Sequence, residues 1–522
     1  MTAASKTTSG ARPESLGAAA PKGCYNLSFV RRHPHLYEIN TWPWLDRLTR
    51  QRGRRITLGT IPDDVWDALR ARGVDFVYLM GIWTRSALAR QIARTNPAAW
   101  NGFADSLPGW RARDVVGSAY SITAYEPDPA LGSMADLDRL RAALHARGMA
   151  LIVDFIPNHV GFDHPWMRSH PDRFIAGTEE QFRANTFAFR PVELSPEDVR
   201  FIARARDPYF PPWSDVAQLD YSRADTRHAM LDELRHVAAH ADGVRCDMAM
   251  LVLSDVFEST WRGLAAQPTI DQEFWPQARA AVPGCLLIAE AYWDLEWRLQ
   301  CLGFDYTYDK RLYDRLLHDG AGAVVGHLMA DARYQERSVR FIENHDEPRS
   351  ADAFGARLQA VATAMSTLPG LRFYHDGQFE GRRIRLPVQL GREVDEPVDA
   401  PLAAFYERLL RAVDTSVFHE GDWTLCEMDG ASAGLLAWRW RHGNDLCIVV
   451  VNLGGDEASG RIVVAGDLAS AGDRFVCVDL LDDGRRVYTR SELLTDGLRV
   501  QLPVGGASLL ALTTEPSAQP SA

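Results

Sequence analysis

Short apolar runs alternate with amphipathic stretches over most of this chain. Leu137, Leu140 and Leu144 fall on one helical face, Ser133 with the acidic residue three places later forms a capping box, and Gly148 can end the helix in a left-handed turn. The apolar run ALIVDFI follows directly and has the length and β-branched content of a buried strand. The pattern therefore predicts a helix followed by a strand.

The same helix-then-strand unit recurs along the chain. It appears as IPDDVWDALRARG before VDFVYLMGIW, HAMLDELRHVAAHAD before GVRCDMAM, and EFWPQARAAVPG before CLLIAEAYW. Further strand candidates are HLYEINTW, SVRFIENHDE and GLRFYHDG. Regular alternation favours a parallel sheet, and roughly eight units over residues 24–415 suit a (β/α)8 TIM barrel.

Two regions break this alternation. Residues 160–219 are rich in proline and aromatic residues and predict a domain inserted after the third strand. Beyond residue 415, apolar runs such as GLLAWRWR, DLCIVVVNL and RFVCVDLL are separated by Gly, Asp and Asn, which predicts an antiparallel β-sandwich domain over 416–514. Residues 1–23 and 515–522 have the composition of flexible tails.

Charge and cysteine content exclude several classes of function. The net charge of −12 in 522 residues argues against a nucleic-acid partner, which clustered Lys and Arg would bind. Seven scattered cysteines without CxxC spacing indicate neither a disulfide framework nor a zinc site. With no apolar run long enough for a signal peptide or a membrane span, we expect a cytoplasmic protein without a membrane partner.

Ionisable residues stand near the ends of four predicted strands. They are Asp154 in LIVDFIPNH, Arg245 and Asp247 in GVRCDMAM, Glu290 in LLIAEAYW, and His345 and Asp346 in FIENHDE. An isolated Arg-x-Asp on a core strand would most simply be a structural ion pair, although burying opposite charges is a poor source of stability. Four such positions at one barrel mouth favour an active site instead, because barrel enzymes build their sites at that end.

At this point the chain resembles the α-amylase superfamily of retaining glycoside hydrolases and transglycosylases. DFIPNH, GVRCD, AE and NHD are similar to its four conserved regions, in the same order, and the resemblance covers residues from about 35 to 415. The resemblance implies Asp247 as nucleophile, Glu290 as general acid and then base, and Asp346 as the carboxylate that steadies the transition state.

The same resemblance implies a set of substrate-binding residues: Tyr120, Asp154, His159, Arg245 and His345. Tyr120 would stack on the cleaved sugar, and Asp154 would support Arg245. Retaining glycosidases need one carboxylate that attacks and one carboxylic acid that protonates the departing oxygen, typically about 5–5.5 Å apart. We expect Arg245 to favour the charged form of Asp247, and the apolar neighbours of Glu290 to favour its protonated form.

The chain departs from the family at several points. MAML follows Asp247 where typical α-amylases carry Lys-His, and Ser121 stands where glucose-releasing members carry an aspartate. The segment 84–118 is longer than a compact loop. Asn158 matches a residue that often ligates calcium, but one Asn is too little for a site that needs several oxygen ligands, so we predict neither a metal nor another cofactor.

The leading interpretation is a glycosidase that acts on α-linked glucose oligosaccharides or on a small α-glucoside by double displacement. Transfer to a second sugar, as a transglycosylase, is the alternative outcome of the same chemistry. A non-catalytic binding module would usually have lost one of the three carboxylates. A metal-dependent barrel enzyme using Asp154, Asp247 and Glu290 as ligands is disfavoured by Arg245, whose charge would repel the ion.

Overall fold

The computed structural model describes residues 30–515 except 465, 467 and 469–471. The predicted N-terminal tail with Cys24, and all but the first residue of the predicted C-terminal tail, lie outside the described residues.

Eight parallel strands close into a barrel. They are β1 (His35–Asn40), β2 (Phe76–Met80), β3 (Ala150–Phe155), β4 (Gly243–Cys246), β5 (Leu286–Ala289), β6 (Tyr306–Tyr308), β7 (Ser338–Arg340) and β8 (Leu371–His375). Each strand pairs with its neighbours in the chain, and β8 pairs with β1 to close the ring. The predicted (β/α)8 barrel is therefore confirmed.

The sequence pattern located seven of these strands and missed β6. This strand is only three residues long, so its apolar run is too short to stand out beside the helices around it. The register of β4 places Arg245 directly opposite Asp154 of β3 and Ile288 of β5. Arg245 thus lies between the strands that carry two of the predicted site carboxylates.

Helices surround the barrel and fill its connections. They are Thr41–Arg52, Asp63–Ala71, Ala87–Thr95, Pro97–Ser106, Met134–His145, Trp166–Ser169, Glu179–Ala184, Ala224–His240, Ser254–Thr260, Phe274–Ala281, Glu296–Cys301, Lys310–His318, Ala321–Leu328, Ala332–Glu336, Ser350–Ala353, Leu358–Thr367, Ala400–Val413 and Ser416–Glu420. In Met134–His145 the predicted capping box is present, and Gly148 has the left-handed φ of 68° that lets the chain turn into β3.

The insertion after β3 contains small sheets rather than helices alone. Strand His159–Gly161 pairs antiparallel with Val216–Gln218, and a three-stranded sheet is formed by Ala176–Gly177, Phe189–Ser195 and Asp198–Ala203. Its first and last strands flank the barrel mouth, so the insertion stands beside the predicted site.

A second excursion leaves the barrel between β2 and β3. Strand Trp83–Arg85 pairs with Ile122–Pro127, and two of the helices above lie between them. A small core of Phe103, Leu107, Val115 and Leu390 joins this excursion to the segment after β8. The long 84–118 segment is thus a folded wall beside the mouth.

The C-terminal region is antiparallel, as the sequence predicts. One six-stranded sheet contains Asp422–Leu425, Leu435–His442, Asp445–Asn452, Ala507–Thr514, Arg474–Asp479 and Arg485–Thr489, and a three-stranded sheet contains Met428–Asp429, Ala458–Ile462 and Leu498–Leu502. Helix Arg490–Thr495 lies between two of these strands. The two sheets share an apolar core of their own, which includes Leu435, Ile448 and Leu498.

Two further features bear on the sequence-based expectations. Within the described ranges, no helix is both long enough and apolar enough to cross a membrane. Of the cysteines in those ranges, Cys246, Cys285, Cys301, Cys447 and Cys477 are free.

Candidate active site

Strand β4 delivers Asp247 to the barrel mouth. The strand ends at Cys246, and the amide N–H of Asp247 still donates to the Phe155 carbonyl of β3 at 2.8 Å. The next residue, Met248, has a left-handed φ of 43° and turns the chain away from the barrel axis. The side chain of Asp247 is 7% exposed, so it reaches the mouth while remaining almost dry.

One guanidinium group faces three carboxylates. Nη1 of Arg245 donates to Oδ1 of Asp247 at 2.8 Å and lies 3.6 Å from Oδ1 of Asp154. Nη2 lies 2.8 Å from Oε2 of Glu290. The sequence placed Arg245 beside Asp154 and Asp247, and the structure adds Glu290 as a third partner. Both predicted reacting carboxylates are thereby held by the same side chain.

The carboxylate of Glu290 lies among polar groups. The Met248 N–H donates to Oε2 at 2.7 Å, and the Tyr292 hydroxyl donates to Oε1 at 2.7 Å. Polar groups, rather than the alanines on either side, thus contact the oxygens of Glu290, although burial of this carboxyl still favours the protonated form that the sequence predicts. The left-handed turn at Met248 aims its amide at this carboxylate, so the ends of β4 and β5 are joined.

Burial controls the protonation of the two reacting carboxylates. It raises the pKa of Asp247 to about 6, with Arg245 opposing the shift. Burial also raises the pKa of Glu290, again against Arg245, and the charge of Asp247 adds to the increase. The expectation that Arg245 keeps Asp247 fully ionised is too simple, since one cation shared among three carboxylates does not outweigh their burial. Asp247 becomes the anion only above about pH 6.

Asp154 supports Arg245 from below. Its side chain is 0% exposed, and its oxygens accept from the Tyr78 hydroxyl at 2.5 Å and from the Gly81 N–H at 2.7 Å. We predicted Asp154 among the substrate-binding residues, but a side chain with no exposed surface cannot contact a sugar. Its contacts fit the supporting role toward Arg245 that the resemblance also implied.

Asp346 lies on the open side of the mouth. It follows β7 in a tight turn, where the Asn344 side-chain oxygen accepts from the amides of Asp346 and Glu347, both at 2.9 Å. The Asp346 side chain is 51% exposed, and its Oδ2 lies 3.0 Å from Nε2 of His345. Burial alone would raise its pKa, but the neighbouring His345 outweighs burial and lowers the pKa of Asp346 to about 2. This carboxyl is therefore ionised where Asp247 is still protonated.

His345 connects Asp346 to the barrel interior. Its Nδ1 lies 2.6 Å from Oε1 of Glu38, on β1, and its Nε2 lies 2.6 Å from the Tyr120 hydroxyl. The Tyr120 ring stacks on the imidazole with centroids 5.5 Å apart and planes at 30°. Cζ of Arg245 lies 5.1 Å from the centre of the Tyr120 ring. The predicted binding residues Tyr120 and His345 thus meet beside the carboxylates.

His159 approaches Asp247 from the insertion. Its Nε2 lies 3.9 Å from Oδ2 of Asp247, and burial lowers the pKa of His159 to about 4. The Asn158 amide nitrogen lies 3.3 Å from Nδ1 of His159, and a neutral ring that accepts this hydrogen bond carries its proton on Nε2. The side-chain oxygen of Asn158 accepts a hydrogen bond from Nε2 of Gln218 at 3.0 Å.

The donor set does not suit a metal ion. In the part of the chain that the structure describes, no group of three or more His, Cys, Asp or Glu side chains could hold one. The Asn158 oxygen is engaged by Gln218, and Arg245 occupies the space between the carboxylates that a cation would need.

Aromatic side chains rim the mouth on the side of Glu290. Tyr209 and Phe210 of the insertion are 69% and 67% exposed, and Tyr209 packs edge-on against Trp293 at 4.9 Å. Trp293 has a left-handed φ of 65° that turns its ring toward this contact. Trp213, farther along the same loop, lies 5.3 Å from the His159 ring. The loop therefore spans from the neighbourhood of Asp247 to that of Glu290.

Sequence reasoning missed several residues of this site. Glu38 could have been found by the argument used for Asp154, because it is a carboxylate within an apolar strand, in HLYEINTW. Tyr292 and the Met248 amide carried no comparable signal, since their roles depend on the turn after β4. Arg349, left unassigned by the sequence, pairs with Glu343 at 2.9 Å inside the protein.

The comparisons with known proteins find the family that the sequence resembles. The family model "Alpha amylase, catalytic domain" matches residues 108–296, which include Tyr120, Asp247 and Glu290. Alpha-amylase MalA of Haloarcula japonica is 27% identical over 390 residues, covering 69% of this chain and 53% of that protein. Alpha-amylase 3 of Dictyoglomus thermophilum is 22% identical over 306 residues, covering 52% of this chain and 56% of that protein.

These matches confirm the resemblance to the α-amylase superfamily that the sequence predicts. Among solved structures, a maltogenic α-amylase, AmyB, from Thermotoga neapolitana superposes with a TM-score of 0.65 and 20% identity, covering 93% of this chain and 99% of that one. That likeness shows a shared fold over both the barrel and the C-terminal sheets. The chain spans about half the length of the curated α-amylases it matches.

Proposed function

We propose that this protein is a retaining α-glycosidase that acts on α-linked glucose oligosaccharides or a small α-glucoside. The observation that carries the proposal is the single guanidinium of Arg245, which lies 2.8 Å from both Asp247 and Glu290 at the mouth of the barrel. Two carboxyls held this way meet the need of a retaining enzyme for an attacking group and a proton donor close together. The match of residues 108–296 to the model of the α-amylase catalytic domain supports the assignment.

In the first step, Asp247 attacks the anomeric carbon as Glu290 gives its proton to the departing oxygen. The raised pKa of Glu290 keeps that proton available to a higher pH than in an ordinary glutamate, and above about pH 6 Asp247 is the anion that attacks. Asp346, ionised and facing the mouth, stabilises the positive charge that develops on the sugar ring. His159, neutral with its proton on Nε2, is placed to donate to a sugar hydroxyl beside Asp247.

In the second step, Glu290 removes a proton from the acceptor, and the glycosyl–Asp247 ester is broken. Water as acceptor gives hydrolysis, and a sugar hydroxyl gives transfer. The exposed rings of Tyr209 and Phe210 stand on the side of Glu290, where the leaving group departs and the acceptor enters. Flat apolar faces suit the C–H surface of a pyranose, which supports a sugar ligand on that side.

The first test is capture of the covalent intermediate. A Glu290→Gln variant is incubated with α-glucosyl fluoride, whose leaving group needs no proton donor. We expect intact-protein mass spectrometry to show an increase of one glucosyl residue, and peptide mapping to place it on Asp247. The same treatment of Asp247→Asn serves as the matched control and should give no adduct.

The second test defines the substrate and the acceptor. Wild type and Asp247→Asn are incubated with maltose, longer malto-oligosaccharides, sucrose and trehalose, and products are separated by chromatography. Smaller sugars alone mean hydrolysis, and longer products beside them mean transglycosylation. Turnover that survives in Asp247→Asn would contradict the proposed nucleophile. Turnover of none of these sugars by wild type would contradict the proposed function.

A further inference from the structure

His345 has a carboxylate on each of its two ring nitrogens. Oε1 of Glu38 lies 2.6 Å from Nδ1, and Oδ2 of Asp346 lies 3.0 Å from Nε2. The second oxygen of Glu38 accepts from the backbone N–H of His345 at 3.2 Å. Glu38 is 0% exposed and sits on β1, almost opposite β4 in the order of the barrel strands. Both oxygens of this buried carboxylate therefore contact the same residue, His345.

This geometry favours two protons on the imidazole. An ionised carboxylate only accepts hydrogen bonds, so Nδ1, which faces Glu38, carries a hydrogen. At Nε2 the Tyr120 hydroxyl, 2.6 Å away, can either accept from an N–H or donate to a bare nitrogen. The carboxylate of Asp346, 3.0 Å from Nε2, favours the protonated nitrogen, with the hydroxyl as acceptor.

Other charged and titratable groups lie around His345. The groups that face it or its partner Glu38 are Tyr120, Asp154, Arg245, Tyr308, Asp346 and His375. The charge of Arg245 disfavours a charged imidazole, whereas the charges of Asp154 and Asp346 favour it. Burial lowers the pKa of His345, but the charges of Asp346 and Glu38 together raise it well above its usual value. Of these two carboxylates in contact with the ring, Glu38 is the buried one.

We propose that Glu38 is a positioning residue that keeps His345 doubly protonated, so that the imidazolium holds Asp346 correctly oriented at the sugar. This inference rests on the proposed function, and concerns a residue outside the four motif regions. Glu38 itself touches no substrate because it has no exposed surface. It acts through His345 on the carboxylate that faces the developing charge.

The consequence for the reaction is a dependence on pH that Glu38 sets. With Glu38 ionised, His345 stays charged through neutral pH and holds Asp346 in place at the mouth. An amide in place of the carboxylate accepts one hydrogen bond with no charge, so the imidazolium loses its buried anionic partner and releases a proton at lower pH. Asp346 then loses the cation that orients it, and stabilisation of the transition state weakens as pH rises.

The test uses Glu38→Gln, which keeps the size and the acceptor of the side chain. We expect the alkaline limb of kcat/KM to move down by about 1 to 3 pH units, with little change in activity at pH 5.5. In parallel, nitrogen NMR of the protein labelled in histidine should show both nitrogens of His345 protonated at pH 8 in wild type and a neutral ring in Glu38→Gln. His345→Gln identifies the signal.

Glu343→Gln is the matched control. Glu343 is equally buried and also paired, but with Arg349 and the Ser350 hydroxyl instead of His345. We expect this variant to lose stability while the His345 signal and the alkaline limb stay as in wild type. An equal shift in both variants would overturn the proposal, since it would reflect loosening of the barrel interior.

Two outcomes keep this proposal separable from the proposed function. A neutral His345 ring in wild type at pH 7 would overturn the role of Glu38 even if the enzyme is fully active, and needs no variant that folds. If wild type turns over no α-glucoside, the proposed function fails, while the NMR titration still decides whether Glu38 controls the charge of His345.

Discussion

Two buried arginines of the barrel make opposite use of their carboxylates. Arg340, on β7, points toward the outer helices, where it pairs with Asp309 and also bonds Gln335 and the Pro369 carbonyl. Asp309 has further donors of its own, His327 at 2.9 Å and the Leu312 amide at 3.0 Å. In this matched cluster one guanidinium faces one carboxylate. Burial lowers the pKa of Arg340, but Arg340 and His327 together outweigh burial at Asp309 and lower the pKa of that carboxyl.

Arg245 faces the barrel interior, where its guanidinium interacts with three carboxylates. Within the described residues its Nε has no hydrogen-bond partner, whereas Nη1 and Nη2 are divided among Asp154, Asp247 and Glu290. The pKa values of Asp247 and Glu290 rise as a result of burial that the shared cation does not offset. A matched cluster stabilises the fold, and an unmatched one at the mouth keeps carboxyls ready to exchange protons.

The largest effect on activity is expected when the nucleophile is removed from the unmatched cluster around Arg245. Asp247→Asn should lower kcat/KM for the best α-glucoside by at least about 10³-fold, because the nucleophile is lost. Steady-state kinetics with protein shown by circular dichroism to be folded measures this. Asp294→Asn, a change of an exposed carboxyl near the mouth, is the control and should retain activity.

Breaking the matched cluster should act on stability instead. Arg340→Met leaves Asp309 buried without its cation and should lower the free energy of unfolding by about 3–5 kcal/mol. Urea unfolding measures the loss, and the folded fraction should keep its specific activity. If Arg340→Met abolishes catalysis without loss of stability, the two clusters do not divide their roles in this way.

Asp247→Asn should raise the free energy of unfolding at neutral pH, whereas Arg340→Met should lower it. The folded pKa of Asp247 is raised to about 6 from 3.8, so its contribution to stability is full below about pH 4 and is lost as pH rises through about 6. Removing the charge should therefore stabilise the protein at pH 7, on the order of 1–3 kcal/mol. Urea unfolding of wild type and variant at pH 4 and pH 7 checks this, and equal differences at both values would contradict it.

The decrease of kcat/KM at low pH should follow the protonation of Asp247 as well. Because Asp247 attacks as the anion, kcat/KM should rise about tenfold per pH unit up to about pH 6 and then level. Asp346, with a pKa lowered to about 2, should leave no trace in that range. An acid limb near pH 4 would show that Arg245 holds Asp247 ionised after all.

The smallest effect is expected at the aromatic rim. Tyr209→Ala with Phe210→Ala should raise KM for malto-oligosaccharides about fivefold through loss of ring contacts, with little change for an aryl α-glucoside. Phe187→Ala, which removes another exposed ring of the insertion, is the matched control. Equal effects on both substrates would mean that the rim shapes the mouth rather than binding sugar.

Local patterns in the sequence were sufficient to predict the barrel and the candidate site. Apolar alternation located seven strands, and charged residues in apolar runs located Asp154, Arg245, Asp247 and Glu290. It did not predict how one guanidinium is shared, because that depends on the register of β3, β4 and β5. Likewise, the pairing of Glu38 with His345 joins positions 307 residues apart, which no local pattern reports.

Gly81 shows how narrowly this arrangement is held. Its N–H anchors Asp154, its φ is 74°, and a Cβ there would come within 2.8 Å of the Arg85 guanidinium and 2.9 Å of the Ala119 side chain. A saturation library at this codon should therefore return glycine almost alone when selected for turnover. Such a screen would then show the same intolerance to substitution at Gly81 as at a catalytic residue, although Gly81 is remote from the sugar and has no reactive group.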